Sequence, residues 1–249
     1  MASANTPTIR KHRKVRRGNG DKSKNTNDQI SIVHINIRGL KSKIRDISSL
    51  VEDIHFDIMI FSETKLCNQE KRLIQGYKSH CLNRTTRAGG VAIYYKENMD
   101  VKIVKKNAEC ETLWVKVKGR KDDLIIGGIY SPCEGNVSKT EISNFVRELE
   151  KDFMEIKVNE TNNILMLGDM NAHVGNDDQG INGNHDKIGT NGKEYRRFWR
   201  ERELILCNNT EKCKGKWTRV DKNSKTILDL TVATTEALEK VNIIERKVK

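Results

Sequence analysis

Short runs of apolar and β-branched residues recur from Ile30 onwards, each bounded by glycine or polar residues. Runs of this length and composition predict β-strands. Leu113, Val115 and Val117 alternate with polar residues, which predicts one buried face, whereas segments 57–61 and 163–167 are apolar throughout and predict strands buried on both faces. The predicted strands are 30–37, 56–61, 90–95, 101–104, 113–117, 124–130, 164–167, 204–208, 215–219 and 227–232.

Helical periodicity appears in three places, at 44–54, 142–156 and 192–203. The second of these follows a capping-box pattern from Ser138 to Glu141, which predicts where that helix begins. Many strands with a few interspersed helices predict an α/β protein in which helices cover the sheets of a sandwich. The whole body, 30–249, is long enough to form one domain with a single core.

Residues 1–29 differ from the rest because they are polar and contain eight basic and two acidic side chains. We expect a disordered basic tail, since so few apolar side chains bury too little surface to offset the entropy of ordering. The basic run at 10–17 suits nuclear localisation or phosphate contact, with a plain solvated tail as the alternative. The chain carries a net charge of +12, half of it outside the tail. This excess favours a polyanionic partner such as nucleic acid, although a lysine-rich surface would also produce it.

The cysteine pattern and hydropathy limit the cellular setting. Six cysteines occur without a CxxC pair, and no apolar segment is long enough to cross a bilayer or to begin a secretory signal. We therefore expect an intracellular protein without a membrane segment or a disulfide-linked partner.

Polar side chains stand at the ends of four buried-type strands. They are Asn36, Glu63, Tyr130 and Asp169, with Asn171 two residues after the last. Each has an ordinary explanation alone, such as a side-chain turn, a helix start or the edge of the core. Together, in similar positions, they predict a site at one rim of the sheets.

The chemistry of these residues suits phosphodiester hydrolysis. The Glu63 carboxylate and the Asn36 amide oxygen are hard ligands of the kind that Mg²⁺ accepts. Asp169 is able to orient or deprotonate water, Asn171 to hold that water or the phosphate, and Tyr130 to donate a hydrogen bond. A metal ion would neutralise charge that gathers on phosphorus.

With these motifs in order, the sequence resembles the endonuclease/exonuclease/phosphatase superfamily. It is most similar to the endonuclease domains of LINE-type (non-LTR) retrotransposons, from about Ile30 to the C-terminus. The motifs that carry the resemblance are NIRGL at 36–40, SET at 62–64, GGVAI at 89–93, IYSP at 129–132, GDMNAHVG at 168–175, and WT at 217–218 followed by ILDL at 227–230.

The resemblance implies a four-layered α/β sandwich of two packed mixed sheets flanked by helices. It also implies a Mg²⁺-dependent DNA endonuclease, with Mn²⁺ as an alternative ion, and with a nuclear location. Its residue roles are metal ligation by Glu63 with Asn36 beside the metal, phosphate or leaving-group contact by Tyr130, water positioning by Asp169 and Asn171, and support of a catalytic histidine by Asp229. Arg38, Lys65 and Arg87 are weaker candidates for nucleic-acid contact.

The sequence departs from the family pattern after Asp229. The family's catalytic histidine belongs to a Ser-Asp-His motif on the last strand, and no such motif follows in this chain. We expect that strand of the second sheet to be missing, the domain to be incomplete at its C-terminus, and turnover to be weak or absent. None of His34, His173 and His185 has the family position, and His173 is the one to test.

Three alternatives to a DNA endonuclease therefore stay open. The first is a nucleic-acid-binding remnant that has lost its chemistry. The second is a phosphatase acting on a small phosphorylated substrate, which the net positive charge disfavours. The third is a gene fragment that folds poorly. The oligomeric state is not predicted by any of these patterns.

Overall fold

The computed structural model describes residues 30–175, 188–214, 218–220, 225–240 and 244–245. The predicted tail at 1–29, His185 and Trp217 lie outside the described residues. The strands in chain order are β1 Ile32–Asn36, β2 Ile58–Ser62, β3 Tyr77–Leu82, β4 Val91–Lys96, β5 Val101–Asn107, β6 Thr112–Val117, β7 Leu124–Tyr130, β8 Ile164–Asp169, β9 Ile205–Leu206, β10 Cys213–Lys214, β11 Arg219–Val220, β12 Lys225–Thr226, β13 Asp229–Ala233 and β14 Ile244–Glu245. The helices are α1 Leu40–Asp53, α2 Lys139–Asn159, α3 Thr190–Glu201 and α4 Thr235–Lys240.

Two mixed sheets form the body of the molecule. The first has the strand order β1-β2-β4-β3, with β1 and β2 parallel and the other pairs antiparallel. The second has the order β5-β6-β7-β8-β13-β9, with β7 and β8 parallel. Two further pairs of two-residue strands, β10 with β14 and β11 with β12, lie outside these sheets.

The apolar residues divide into three clusters that define the layers. One cluster joins the facing surfaces of the two sheets and includes Ile60 and Ile93 from the first with Val115 and Ile126 from the second. A second packs α1 on the outer face of the first sheet. The third packs α2 and α3 on the outer face of the second sheet. The molecule is therefore a helix–sheet–sheet–helix sandwich, which confirms the predicted fold class.

The sequence pattern located most of these elements. The capping box before α2 is present, because the Ser138 hydroxyl accepts from the Glu141 backbone N–H while the Glu141 carboxylate accepts from the Ser138 N–H. Strand β3 and helix α4 were not predicted. Segment 204–208 holds only the two-residue strand β9 before a 3₁₀ turn at Cys207–Asn209. Absence of the last strand stays a prediction.

All six cysteines lie among the described residues and are free thiols. Within the described part of the chain, no helix combines the length and the apolar character needed to cross a bilayer.

Candidate active site

Strand pairing places the site residues in rows at one end of the sheets. In the second sheet, Asp169 of β8 lies directly opposite Tyr130 of β7 on one side and Asp229 of β13 on the other. Residues directly opposite in neighbouring strands point to the same face. In the first sheet, Asn36 lies opposite Ser62, the residue before Glu63. The six predicted catalytic residues therefore come from four neighbouring strand ends and the start of a fifth.

Asn36 connects the two sheets. Its side-chain nitrogen donates hydrogen bonds to Asp169 Oδ2 at 2.5 Å and to Glu63 Oε1 at 3.4 Å. Its side-chain oxygen accepts from the backbone N–H of Arg38 at 3.2 Å. In this orientation the amide nitrogen faces the carboxylates, so metal ligation by the Asn36 oxygen requires the amide to rotate.

Glu63 is the centre of the first-sheet side of the site. The Tyr130 hydroxyl donates to Glu63 Oε1 at 3.1 Å, and the Lys65 ammonium lies 3.5 Å from Oε2. Burial, followed by the neighbouring Glu63 charge, holds the pKa of Tyr130 well above its usual value. Tyr130 is therefore a neutral phenol that donates a hydrogen bond at physiological pH.

Asp169 is the most buried of the site carboxylates, with 7% of its surface exposed. Burial raises the pKa of Asp169 to about 6, and the Asp229 and Glu63 charges act in the same direction. Hydrogen bonds from Asn36 and from the Asn171 backbone N–H, the latter at 3.1 Å, partly oppose this rise. The result is a carboxylate that is ionised at neutral pH yet more basic than an exposed aspartate.

Several site residues adopt a left-handed backbone conformation that non-glycine residues rarely take. The φ angles are 50° at Arg38, 53° at Glu63, 54° at Lys65 and 43° at Asn171. Such conformations cost about 1 kcal/mol or more each and persist where surrounding contacts enforce them. Their clustering beside the carboxylates is typical of a functional site.

Asp229 has a buried histidine neighbour, His34, which the sequence pattern did not predict. His34 Nδ1 lies 3.4 Å from Asp229 Oδ1, and His34 Nε2 lies 3.1 Å from the Ser62 hydroxyl. The contact with Asp229, at 3.4 Å, is longer than a normal hydrogen bond. Alternation along β1 places His34 on the same face as Asn36, two residues away. Only 7% of the His34 side chain is exposed, so the ring lies beneath the site and not at its surface.

The basic residues near the site differ in how they are engaged. Arg38 and Lys65 are exposed at the rim. Arg87 is also exposed but forms an ion pair with Glu70 at 3.2 Å. Lys96 lies at the end of β4 that is remote from the site and pairs with Asp57 at 2.7 Å.

The sequence pattern did not predict a buried set of hydrogen bonds around Glu111, which lies next to the loop that carries Glu63. Glu111, 4% exposed, accepts two hydrogen bonds of 2.6 Å from Arg84 and one of 2.9 Å from the Gly90 backbone. The Gly89 and Gly90 carbonyls in turn accept from the backbones of Lys65 and Thr64. These hydrogen bonds hold the loop that carries Glu63. The pair Gly89 and Gly90 was the one sequence feature that pointed to this arrangement.

The donor set fits a hydrated divalent cation. The negative charges of Asp229 and Glu63 both help to raise the pKa of Asp169, so a cation nearby would relieve this repulsion. No cluster of three or more Cys, His, Asp or Glu residues arranged to enclose a metal occurs within the described ranges. The carboxylate and amide oxygens at the site are donors that suit a hard divalent cation that keeps part of its water shell.

The fold and the site together define a class: a layered α/β protein whose acidic, metal-suited site lies where two packed sheets meet. A family model described as the endonuclease/exonuclease/phosphatase family matches residues 33–241. The chain belongs to this family, as the motifs indicated. No curated protein sequence matches it.

Solved structures repeat the fold at low sequence identity. A 3′-5′ exonuclease from Neisseria meningitidis is 14% identical, with 83% of this chain and 88% of that chain covered and a TM-score of 0.65. An AP endonuclease from Archaeoglobus fulgidus is 16% identical, with 85% and 89% covered and a TM-score of 0.63. The endonuclease domain of TRAS1, a telomere-specific non-LTR retrotransposon, is 12% identical, with 84% and 86% covered and a TM-score of 0.60. At these identities the likeness concerns the fold.

Proposed function

We propose that this chain is a Mg²⁺-dependent phosphodiesterase of the retrotransposon endonuclease type that hydrolyses DNA. The observation that carries the proposal is the hydrogen-bonded cluster of Asn36, Glu63, Tyr130 and Asp169, assembled from both sheets. Family membership supports a hydrolase of phosphate esters, and the net charge of +12 supports a polyanionic substrate.

Glu63, with Asn36 after amide rotation, would hold the metal ion. When bound, the ion would supply positive charge against the phosphate oxygens as negative charge gathers on them. Lys65 already places a positive charge 3.5 Å from Glu63 and is the best-placed rim residue for phosphate contact. Mn²⁺ has the same oxygen preference and is expected to substitute.

Asp169 is the residue suited to activate water. With a pKa of about 6, it is ionised at neutral pH and able to accept a proton as the water oxygen bonds to phosphorus. The bond from phosphorus to the 3′ oxygen then breaks, and this oxygen takes a proton from solvent, which leaves a 3′ hydroxyl and a 5′ phosphate. The Asn171 backbone N–H fixes the Asp169 carboxylate. The Tyr130 hydroxyl, which donates to Glu63 Oε1 in this structure, would turn to donate to the phosphate when substrate is bound.

The DNA substrate and the nuclear setting rest on separate support. Among proteins of the same fold, one structure is described as a 3′ phosphatase bound to a product DNA hairpin, and another is a retrotransposon endonuclease domain. We propose that Arg38, Lys65 and Arg87 face the DNA backbone. The basic run at 10–17 would serve nuclear import or additional phosphate contact.

A plasmid-nicking assay tests the function directly. Purified protein is incubated with supercoiled plasmid and Mg²⁺, and nicked circles are quantified beside Glu63→Gln and Asp169→Asn variants. The matched control is Glu155→Gln, which removes an exposed carboxylate of α2. In the wild type this carboxylate pairs with Lys105 of β5. We expect weak, metal-dependent nicking by the wild type and the control only. Salt-sensitive DNA binding without nicking would overturn the proposal in favour of a binding remnant, and phosphate release from 3′-phosphate ends alone would favour a phosphatase.

A further inference from the structure

Three loops meet directly behind the site. They are segment 131–134 after β7, segment 170–175 after β8, and segment 188–191 leading into α3. Asn191 lies at their junction and is completely buried. Its side-chain nitrogen donates two hydrogen bonds of 3.0 Å, one to the carbonyl of Pro132 and one to the carbonyl of Asn171.

Other contacts hold the same three loops together. The Gly189 N–H donates to the His173 carbonyl at 3.0 Å, and the Thr190 N–H donates to Glu134 Oε1 at 2.6 Å. A Cβ atom at Gly192 would lie 2.0 Å from the His173 carbonyl oxygen. The first turn of α3 therefore presses directly against the chain that follows Asn171.

Asn191 holds the backbone of Asn171, the residue that orients the Asp169 carboxylate. Asn171 takes the left-handed conformation, with φ 43°, and its N–H donates to Asp169 Oδ1 while its side chain donates to the Ser131 carbonyl. Asn191 holds the carbonyl of this same residue. The Asn171 N–H thus orients the Asp169 carboxylate, and the Asn191 side chain in turn holds Asn171 in place.

The bonding of Asn191 argues against simple core filling. Its own side-chain oxygen is buried and accepts no hydrogen bond from the described residues. An unsatisfied buried oxygen costs free energy that an apolar residue of similar size would avoid. The benefit of asparagine here is its pair of donors, which match two carbonyls on two different site loops.

We propose that Asn191 is a positioning residue that fixes the Asn171–Asp169 geometry by joining the loops after β7 and β8. As a catalytic statement, this inference rests on the proposed hydrolysis. As a structural statement, it concerns how firmly segment 169–175 is held, which is measurable without turnover.

The experiment compares Asn191→Ala with Asn163→Ala. Asn163 is also buried and donates to one backbone carbonyl, that of Asp123, at the opposite end of β8. Hydrogen–deuterium exchange is measured on metal-free protein. We expect Asn191→Ala to accelerate exchange in segments 169–175 and 130–134, and Asn163→Ala to leave both unchanged. Unchanged exchange in those segments in Asn191→Ala would overturn the inference even if the wild type proved inactive.

Kinetics provide a second readout on the nicking activity. We expect Asn191→Ala to lower kcat by about 10- to 100-fold with KM changed less than about 2-fold, because a displaced water-positioning group affects the chemical step. In an Asn171→Ala background, adding Asn191→Ala should lower kcat by less than about 2-fold, since the two changes disable one unit. Multiplicative effects would overturn the positioning role.

A second variant tests the same junction in case Asn191→Ala does not fold. If Asn191→Ala does not fold, Glu134→Ala removes the carboxylate that accepts from Thr190 and loosens the same junction. Faster exchange in 169–175 in this variant supports the inference, and unchanged exchange contradicts it.

Discussion

Asp169 is a site residue whose acidity the fold lowers. The pKa of this acid is raised to about 6 in the folded state, so the folded state binds the proton more tightly than the unfolded chain does. Stability should therefore increase as pH falls through about 6. The expected gain between pH 8 and pH 4 is about 2 kcal/mol relative to Asp169→Asn, which lacks this titration. Urea unfolding of both proteins in metal-free buffer measures it, and a pH-independent difference would contradict it.

Tyr130 offers a second test at the residue scale. Tyr130→Phe keeps the ring and removes the hydroxyl that contacts Glu63. We expect kcat/KM for nicking to fall by about 10- to 100-fold, as for loss of one hydrogen-bond donor near a reacting phosphate. Tyr77→Phe is the control, because the Tyr77 hydroxyl donates to the Phe56 carbonyl at the far end of the first sheet. Equal losses in both variants would point to a general packing effect.

Sequence reasoning located the strand-end residues because each stands where a buried run stops. It missed the roles of His34 and Asn191 for a physical reason. His34 meets Asp229 only because β1 and β13, in different sheets, face one another, and no local pattern encodes that approach. Asn191 occupies the first turn of a helix, where asparagine is common, and its two carbonyl partners are 20 and 59 positions away.

At the scale of single elements, the loop before β4 depends on an ion pair between the half-exposed Arg84 and the buried Glu111. Arg84→Ala would leave the Glu111 carboxylate buried without its cation, while Arg84 itself is partly exposed. We expect a loss of about 1–3 kcal/mol in the free energy of unfolding. Arg87→Ala, which breaks the exposed pair with Glu70, should cost about 0.5 kcal/mol or less. Urea denaturation compares the two, and similar losses would contradict the assigned role of Glu111.

Element prediction failed where burial was partial. Strand β3 reads Tyr-Lys-Ser-His-Cys-Leu and lies at the edge of the first sheet, where only Tyr77 is fully buried. An edge strand needs few apolar residues, so it gives no apolar run to detect. Helix α1 begins at Leu40, earlier than the periodic segment, because Leu40 packs into the core directly after the turn at Gly39.

At the scale of the whole molecule, the positive charge should govern DNA affinity. Neutralising phosphates releases counterions, so the logarithm of affinity falls linearly with the logarithm of salt concentration. Lys65→Gln should reduce the slope by about 0.9, the value for one phosphate contact. Lys116 lies at the end of β6 that is remote from the site and pairs with Glu160. Lys116→Gln should therefore leave the salt slope unchanged. Fluorescence anisotropy with labelled duplex measures both slopes, and an unchanged slope in Lys65→Gln would exclude the contact.

The hydrogen bond between Asn36 and Asp169 joins residues 133 positions apart, and Asp229 meets His34 across an even longer stretch of chain. Contacts so distant in sequence form late, because closing a long loop costs entropy that only later contacts offset. A nascent chain on the ribosome holds Asn36, Glu63 and Tyr130 well before Asp169 has been synthesised. A growing polypeptide that has not been extended past Asp169 therefore lacks the second-sheet carboxylates of the site.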